Sequence, residues 1–473
     1  MDASLSPITD GSVSPRWVAL VERFAGGRPS EPSFDLALRA QGQGWGQQFG
    51  WPAHLALAML WLAGAAGPIG TVELLPIPLG VCVLLRMHAT WRLLPFILRS
   101  RLFLLLCAFV AWGAVSLLWS GDRGKGVQEL GNARWLWCFL GVVPVLHKRH
   151  WLIAALVVGT SLGMLSQALE AVGLRFGIEW LVWPHPPNPL EHARISGWWH
   201  HPVMGGIVLV GAFGLHLPAA VFGRGWRRWA GVAGVGATLV AMAATGTRSA
   251  WVAAVGLVVL MLGFAAVRMP RARAVRVLAG AAALSLIFGG VVWVAKGDAI
   301  RQRVSSVVHE LGGALDRRDY ASDSGARVQF AIWASSMIAE RPLLGHGTGS
   351  YEHWVRASLA AQGRDAQTVR IAPQAHNTAL HAWATLGLPG VLLLLAAVVV
   401  AAAGGVVAAR SGAPVGHDWA GTYGAGPACA LLGIVLVSCF DTIYVNIQPA
   451  AFTTALLCLC LPLAPRVGER GAV

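Results

Sequence analysis

The chain has 473 residues, of which 56% are hydrophobic and only 12% charged, with a mean hydropathy of +0.60. So little charge at this length excludes an ordinary soluble globular domain. The formal net charge of +14 invites a nucleic-acid reading, but the basic residues lie in short clusters between apolar runs and form no continuous patch.

In chain order, the first 50 residues differ from the rest. They are rich in Gly, Ser, Pro and Gln, carry Arg16, Arg23, Arg28 and Arg39, and lack the apolar core of a signal peptide. They read as a cytoplasmic tail with a surface helix at Arg16–Phe24. Long apolar runs follow at 102–119, 151–172, 202–222, 229–244, 251–267, 275–295, 391–409 and 451–463. Several reach the roughly 18–20 residues that a helix needs to cross a bilayer. Backbone groups in lipid must pair internally, so helices are expected. Weaker runs at 52–66, 72–85, 135–146 and 428–446 bring the expected count to about twelve spans. The fold class expected is an all-α polytopic membrane protein.

Arg86/Arg92/Arg99/Arg101, Lys148/Arg149, Arg224/Arg227/Arg228 and Arg268/Arg271/Arg273/Arg276 occupy alternate loops. The positive-inside rule assigns those loops to the cytoplasm, and both termini with them. The expected organisation is a tail over 1–50, nine spans over 51–295, an outer loop over 296–375, a polar motif and three spans over 376–465, and a short tail over 466–473. All seven Cys fall in apolar runs without Cys-x-x-Cys spacing, so neither a disulfide nor a zinc site is implied.

Three outer segments are substantial: 120–133, 174–201 and 296–375. The last is too long for a mere connector. In it, Val328, Ala331, Ile332, Ser335, Ile338 and Ala339 recur at helical spacing, predicting an amphipathic helix over 327–340 stopped by Pro342. Gly345-His-Gly-Thr-Gly349 reads as a tight or mobile turn rather than a nucleotide loop, because it follows a helix and faces outward. A second short helix is predicted from Ser350 to about Ala361. Trp198 and Trp199 read as members of an interfacial aromatic belt.

Four positions on the outer side carry potential chemistry. Arg194 precedes the span at Pro202. Arg248 sits in a tight turn between two spans, where a guanidinium must snorkel or find an anion. Arg327 opens the amphipathic helix. His376 begins the segment leading into a span. Singly, each reads equally as a solvated or headgroup-facing side chain. Together, three guanidinium forks and an imidazole on one side suit a lipid phosphate or pyrophosphate, since arginine pairs bidentately with phosphate oxygens.

The residues also resemble a known family. His376-Asn377, followed by Gly387 and Gly390, is similar to the motif of bacterial O-antigen ligases. Thr245-Gly-Thr-Arg-Ser-Ala-Trp251, Arg327 with Pro342–Tyr351, and Leu118-Trp-Ser120 extend the likeness over about residues 100–410. The resemblance implies a membrane-embedded, metal-independent inverting glycosyltransferase of the GT-C type without cofactor. It implies a donor glycan on undecaprenyl pyrophosphate, lipid A–core as acceptor, and a site on the periplasmic face of the inner membrane. Arg248 and Arg327 match the family's arginines, with Arg194 a third candidate for the pyrophosphate. His376 matches its histidine and would take the acceptor proton, with Asn377, Gly387 and Gly390 supporting it. The first outer loop, 67–71, holds no Asp for a divalent metal. An O-antigen polymerase or a protein O-oligosaccharyltransferase of the same superfamily is the alternative. A non-enzymatic lipid or anion transporter is a further one, for which Glu170 and Asp441 are the few ionisable candidates within apolar segments.

Overall fold

The computed structural model describes residues 50–183, 194–268, 305–316, 318–411 and 423–461, with isolated residues between 271 and 301. The expected N-terminal surface helix and most of the 275–295 run lie outside the described residues. Among those described, regular structure is helical throughout.

The elements are α1 (Trp51–Ala65), α2 (Ile69–Leu74), α3 (Pro76–Leu85), α4 (Met87–Arg99), α5 (Arg101–Ser116), α6 (Arg123–Leu130), α7 (Cys138–Val142) and α8 (Arg149–Phe176). There follow α9 (Pro202–Phe222), α10 (Trp226–Thr245), α11 (Arg248–Arg268), α12 (Asp323–Glu340), α13 (Ser350–Ala361), α14 (Thr378–Ser411), α15 (Gly426–Val437) and α16 (Ile447–Leu459). Among the described residues, five helical stretches are long and apolar enough to cross a membrane, and six if the pair 69–85 and 87–99, bent by 101°, forms one broken span. α1, α15 and α16 are apolar but shorter. A polytopic membrane protein is therefore the architecture; the expected count of about twelve exceeds these long helices.

Burial orders the helices. α9 has 89% of its apolar window buried, whereas α5 has 17%. α9 is thus the central post and α5 turns most of its surface outward. Small residues let backbones approach at the central contacts. A Cβ added at Gly214 of α9 would lie 2.5 Å from the Ala430 backbone of α15, and one at Gly159 of α8 would lie 2.1 Å from the Ala63 carbonyl of α1.

Two expected elements take a different form. The run 428–446 is not one span: α15 ends at Val437, and a turn over 438–446 leads into α16. Asp441 lies in that turn, which frees it from the helical segment the sequence suggested. The run 135–146 is a chain of 3-10 turns around the five-residue α7.

The unit formed by α12 and α13 has its own core, built from Phe330, Trp333, Met337, Tyr351, Val355 and Leu359. Here the predicted stripe is the wrong one. Ala326, Phe330, Trp333, Ala334 and Met337 face the core, while Ile332 is 45% exposed. The helix is apolar on more than one face, so spacing alone could not choose between them.

Candidate active site

The site is assembled around α12, which meets Arg248, Arg370 and His376 along its length. Ser322 caps its N-terminus by accepting from the Gly325 N–H at 3.0 Å, the standard provision for a free helix-end donor. Next to this cap, the Arg248 Nη1 donates to Ser324 Oγ at 3.0 Å and lies 3.7 Å from the Glu310 carboxylate. Arg248 is the first residue of α11 and leaves the Thr245–Thr247 turn. The turn itself is fixed from behind. The Arg194 Nε donates to the Thr245 carbonyl at 2.7 Å and its Nη2 to Thr247 Oγ1 at 3.0 Å. Arg194 is therefore beside Arg248, but much of its fork serves the turn.

Arg194 is delivered by the outer end of α8. Glu170 is fully buried and accepts from the Gly197 N–H at 2.5 Å. Ser166 Oγ accepts from the Trp198 N–H at 3.0 Å, and Gln167 donates to the Ile195 carbonyl at 3.0 Å. Glu170 thus docks the segment that carries Arg194. Trp199, expected at an interface, is 1% exposed and donates to the Ala66 carbonyl at 2.8 Å. It is a packing residue of the bundle.

One turn along α12 from Arg327, the Phe330 ring stacks on His376 with centroids 5.4 Å apart and planes 23° apart. His376 has a φ of 49°, a left-handed conformation that side-chain-bearing residues adopt at a cost. Asn377 explains how it is held. Its Oδ1 accepts from the Leu380 N–H at 3.0 Å, capping α14, and its Nδ2 donates to the Cys439 carbonyl at 2.9 Å. Thr378 Oγ1 donates to the Asp441 carbonyl at 2.8 Å and accepts from the Ile443 N–H at 3.0 Å. These bonds bring the 438–443 turn against the histidine.

The consequence is a pair that sequence spacing concealed. Asp441, 2% exposed in its side chain, places Oδ1 3.6 Å from His376 Nδ1, and the imidazole keeps 26% of its surface. That separation is within ion-pair reach and beyond a hydrogen bond. The carboxylate also accepts from the Thr442 N–H at 2.8 Å. A buried carboxylate behind one ring nitrogen, with the remainder of the ring partly open, is how a histidine base is oriented.

Gly387 breaks α14 with φ 68° and ψ −167°, a conformation open essentially to glycine. The Pro342–Gly349 segment fills the break. The Leu388 N–H donates to the Pro342 and Leu343 carbonyls at 3.1 and 3.2 Å, His346 N–H to Ala384 at 3.0 Å, and Gly347 N–H to Thr385 at 2.7 Å. From the other side, Ser120 Oγ donates to the Thr348 carbonyl at 2.7 Å and Glu129 accepts from the Gly349 N–H at 3.1 Å. The glycine-rich segment is therefore a clamp joining α5, α6 and α14, with its backbone donors already engaged. Gly390 is set by closeness, since a Cβ there would meet the Leu386 side chain at 2.2 Å.

Two members of the site were missed from the sequence. Asp441 was named only as an ionisable residue for the transporter alternative, within what reads as a span, and not as a partner of His376. Arg370 lies in the 362–377 connection and pairs with Asp323 at 2.5 Å. That hydrogen bond, opposed by partial burial and reinforced by the charges of Arg370, Arg248 and Arg327, holds the Asp323 carboxyl below its usual range. Arg370 and Arg248 thus meet the first turn of α12 at Asp323 and Ser324, with Arg327 one turn further along, and through Phe330 the same helix reaches His376.

Residues 233–395 match the O-antigen ligase family. The matched stretch runs from α10 into α14 and contains Arg248, Arg327, His376, Asn377, Gly387 and Gly390, with Arg194 and Asp441 outside it. A search of curated proteins returns no match.

Proposed function

We propose that this member of the O-antigen ligase/polymerase superfamily transfers a glycan from undecaprenyl pyrophosphate to lipid A–core, on the periplasmic face of the inner membrane. Members of the superfamily are glycosyltransferase-like enzymes of glycan assembly. The observation that carries the reading is the His376–Asp441 pair, stacked on Phe330 and joined by α12 to the Arg248–Arg327 patch.

In this reaction the acceptor hydroxyl attacks the anomeric carbon as its proton passes to the imidazole. Nδ1 faces Asp441, which leaves Nε2 as the acceptor of that proton. The glycosidic C–O bond to phosphate breaks on the opposite face, inverting the centre. Negative charge grows on the departing undecaprenyl pyrophosphate, where fixed guanidinium donors stabilise it most effectively in a site shielded from water. Arg248 and Arg327 take that role, and Arg194 supports it by fixing the turn that launches Arg248. Asp441 favours the imidazolium formed and fixes the ring. This is the metal-independent, GT-C-type chemistry that the residue types suit, in a bundle of about twelve spans with both termini cytoplasmic.

The test is acceptor choice. The purified protein is incubated with undecaprenyl-pyrophosphate glycan and, separately, lipid A–core, a second lipid-linked glycan, or an acceptor protein. Transfer to lipid A–core that persists in chelator is the expected result. Chain extension without lipid A–core would instead assign a polymerase, and a strict divalent-metal requirement would overturn the mechanism.

A further inference from the structure

The Asp323 carboxylate occupies an unusual position. It lies in the first turn of α12, 62% exposed, and Arg370 from the 362–377 connection bonds it at 2.5 Å. Arg248 from α11 and Arg327 from α12 add their charge at the same carboxyl. Three arginines from separate parts of the chain thus meet the first turn of α12: Arg370 bonds Asp323, Arg248 bonds the adjacent Ser324 at 3.0 Å, and Arg327 stands four residues on from Asp323, all at the electropositive end of a helix.

A purely structural explanation is an ion pair that fastens the connection to α12. Exposed pairs contribute little to such fastening, and this connection is held independently. Ala372 and Ala375 are buried in the outer core with Ile371 against it, and Asn377 and Thr378 bond the 438–443 turn. The convergence is better explained by an anion. A carboxylate presents two oxygens to an arginine fork as a phosphate does, but brings less charge than a diphosphate ester.

We propose that Arg370 is a third donor-binding arginine and that Asp323 is a carboxylate stand-in, which a donor phosphate displaces from the Arg248–Arg327–Arg370 cluster. This rests on the donor-binding reading of Arg248 and Arg327 and extends it. Displacement needs only a side-chain rotation, because Asp323 is exposed and its helix is capped by Ser322 rather than by its own carboxylate. Arg370 also lies six residues before His376 on one continuous segment. Engagement of the donor phosphate by Arg370 therefore bears on the segment that presents the base.

The test uses the full chain, purified in detergent, with inorganic pyrophosphate as the probe and binding read by calorimetry. Arg370→Ala should weaken binding by about tenfold, the loss of one charge-assisted hydrogen bond, with an unchanged melting temperature. Asp323→Asn should bind pyrophosphate several-fold more tightly, because the competing charge is gone. A merely structural ion pair predicts the reverse for Asp323→Asn, with binding unchanged or weakened. Wild-type affinity in Arg370→Ala, or no tightening in Asp323→Asn, overturns the inference. If Arg248→Ala and Arg327→Ala lose pyrophosphate while Arg370→Ala keeps it, only Arg370 falls. If the parent protein binds none, the donor reading of the patch falls with it. Should Arg370→Ala not fold, the Asp323→Asn arm decides alone.

Discussion

Replacing Gly387 by Ala tests whether the break in α14 organises the site. Its φ of 68° with ψ of −167° costs a side-chain-bearing residue about 1–3 kcal/mol. The added Cβ would also lie 2.2 Å from the Leu343 carbonyl oxygen and 2.6 Å from its carbon. Both are backbone atoms of the clamp and cannot swing aside. Relief requires the 342–349 segment to withdraw, breaking the hydrogen bonds donated by the Leu388, His346 and Gly347 N–H groups. At about 1 kcal/mol for each of the three groups, plus roughly 2 kcal/mol of strain, docking weakens by about 5 kcal/mol. Hydrogen–deuterium exchange on the 341–350 and 384–390 peptides should then show protection lost there while α9 stays protected. Glycan transfer should fall in parallel, since the clamp fixes where α14, and so His376, begins. Unchanged exchange in both peptides would refute the reasoning.

His376→Ala should reduce transfer by about 10²–10⁴-fold, the usual contribution of a general base, with the melting temperature preserved; residual activity near the parent's would remove it from catalysis. Asp441→Asn removes a charge 3.6 Å from Nδ1; after screening at this partly open ring the loss is about 1–2 kcal/mol. That is about a tenfold drop in kcat with KM for the donor little changed, and a KM effect alone would contradict the role. Burial holds the pKa of His346 below its ordinary 6.5, and its Nε2–H donates to the Met337 carbonyl at 3.1 Å. A depressed histidine pKa means that stability is full above about 6.5 and declines as pH falls below it; protection over 345–349, relative to the intrinsic exchange rate at each pH, should fall between pH 7 and pH 5, and unchanged protection would argue against it. Tyr351→Phe loses the bond to the Phe330 carbonyl, 2.8 Å long, and should destabilise by about 1 kcal/mol, measurable as a lowered melting temperature.

How much was legible depended on whether a residue's role was local. The borders of α9 and the start of α13 follow from composition, because Pro202 and the glycines before Ser350 act on the backbone where they stand. The arginines and His376 were legible as residue types at the ends of apolar runs. Their placement on one side was also legible, but the contacts that link them were not, because these depend on α12, whose several apolar faces give spacing no preference. Asp441 was illegible for a different reason. It lies within the run 428–446, which reads as one span, and only the turn after Val437 brings it toward His376. Arg370 carried no local signal, since an arginine in a polar connection is ordinary until Asp323 is seen beside it.

The glycine-rich segment shows why motif resemblance alone misassigns work. Its three glycines all have positive φ, at 67°, 94° and 81°, as an anion-cradling loop would. Yet a Cβ at Gly345 would lie 2.5 Å from the Gly387 nitrogen, and one at Gly349 would lie 2.2 Å from the Gly126 nitrogen. The positions serve close backbone contact, and the amides that would face a phosphate are bonded to Thr385 and Glu129 instead. The anion binding proposed above therefore falls to side chains, those of Arg248 in α11, Arg327 in α12 and Arg370 in the 362–377 connection, near one helix end. The clamp and the arginine patch are complementary parts of one arrangement. The clamp fixes the broken helix that starts beside His376, and α12 runs from the patch to that histidine. A change in either should reach the chemistry through His376, so Gly387→Ala and Arg327→Ala combined should cost less in transfer than the product of their separate effects.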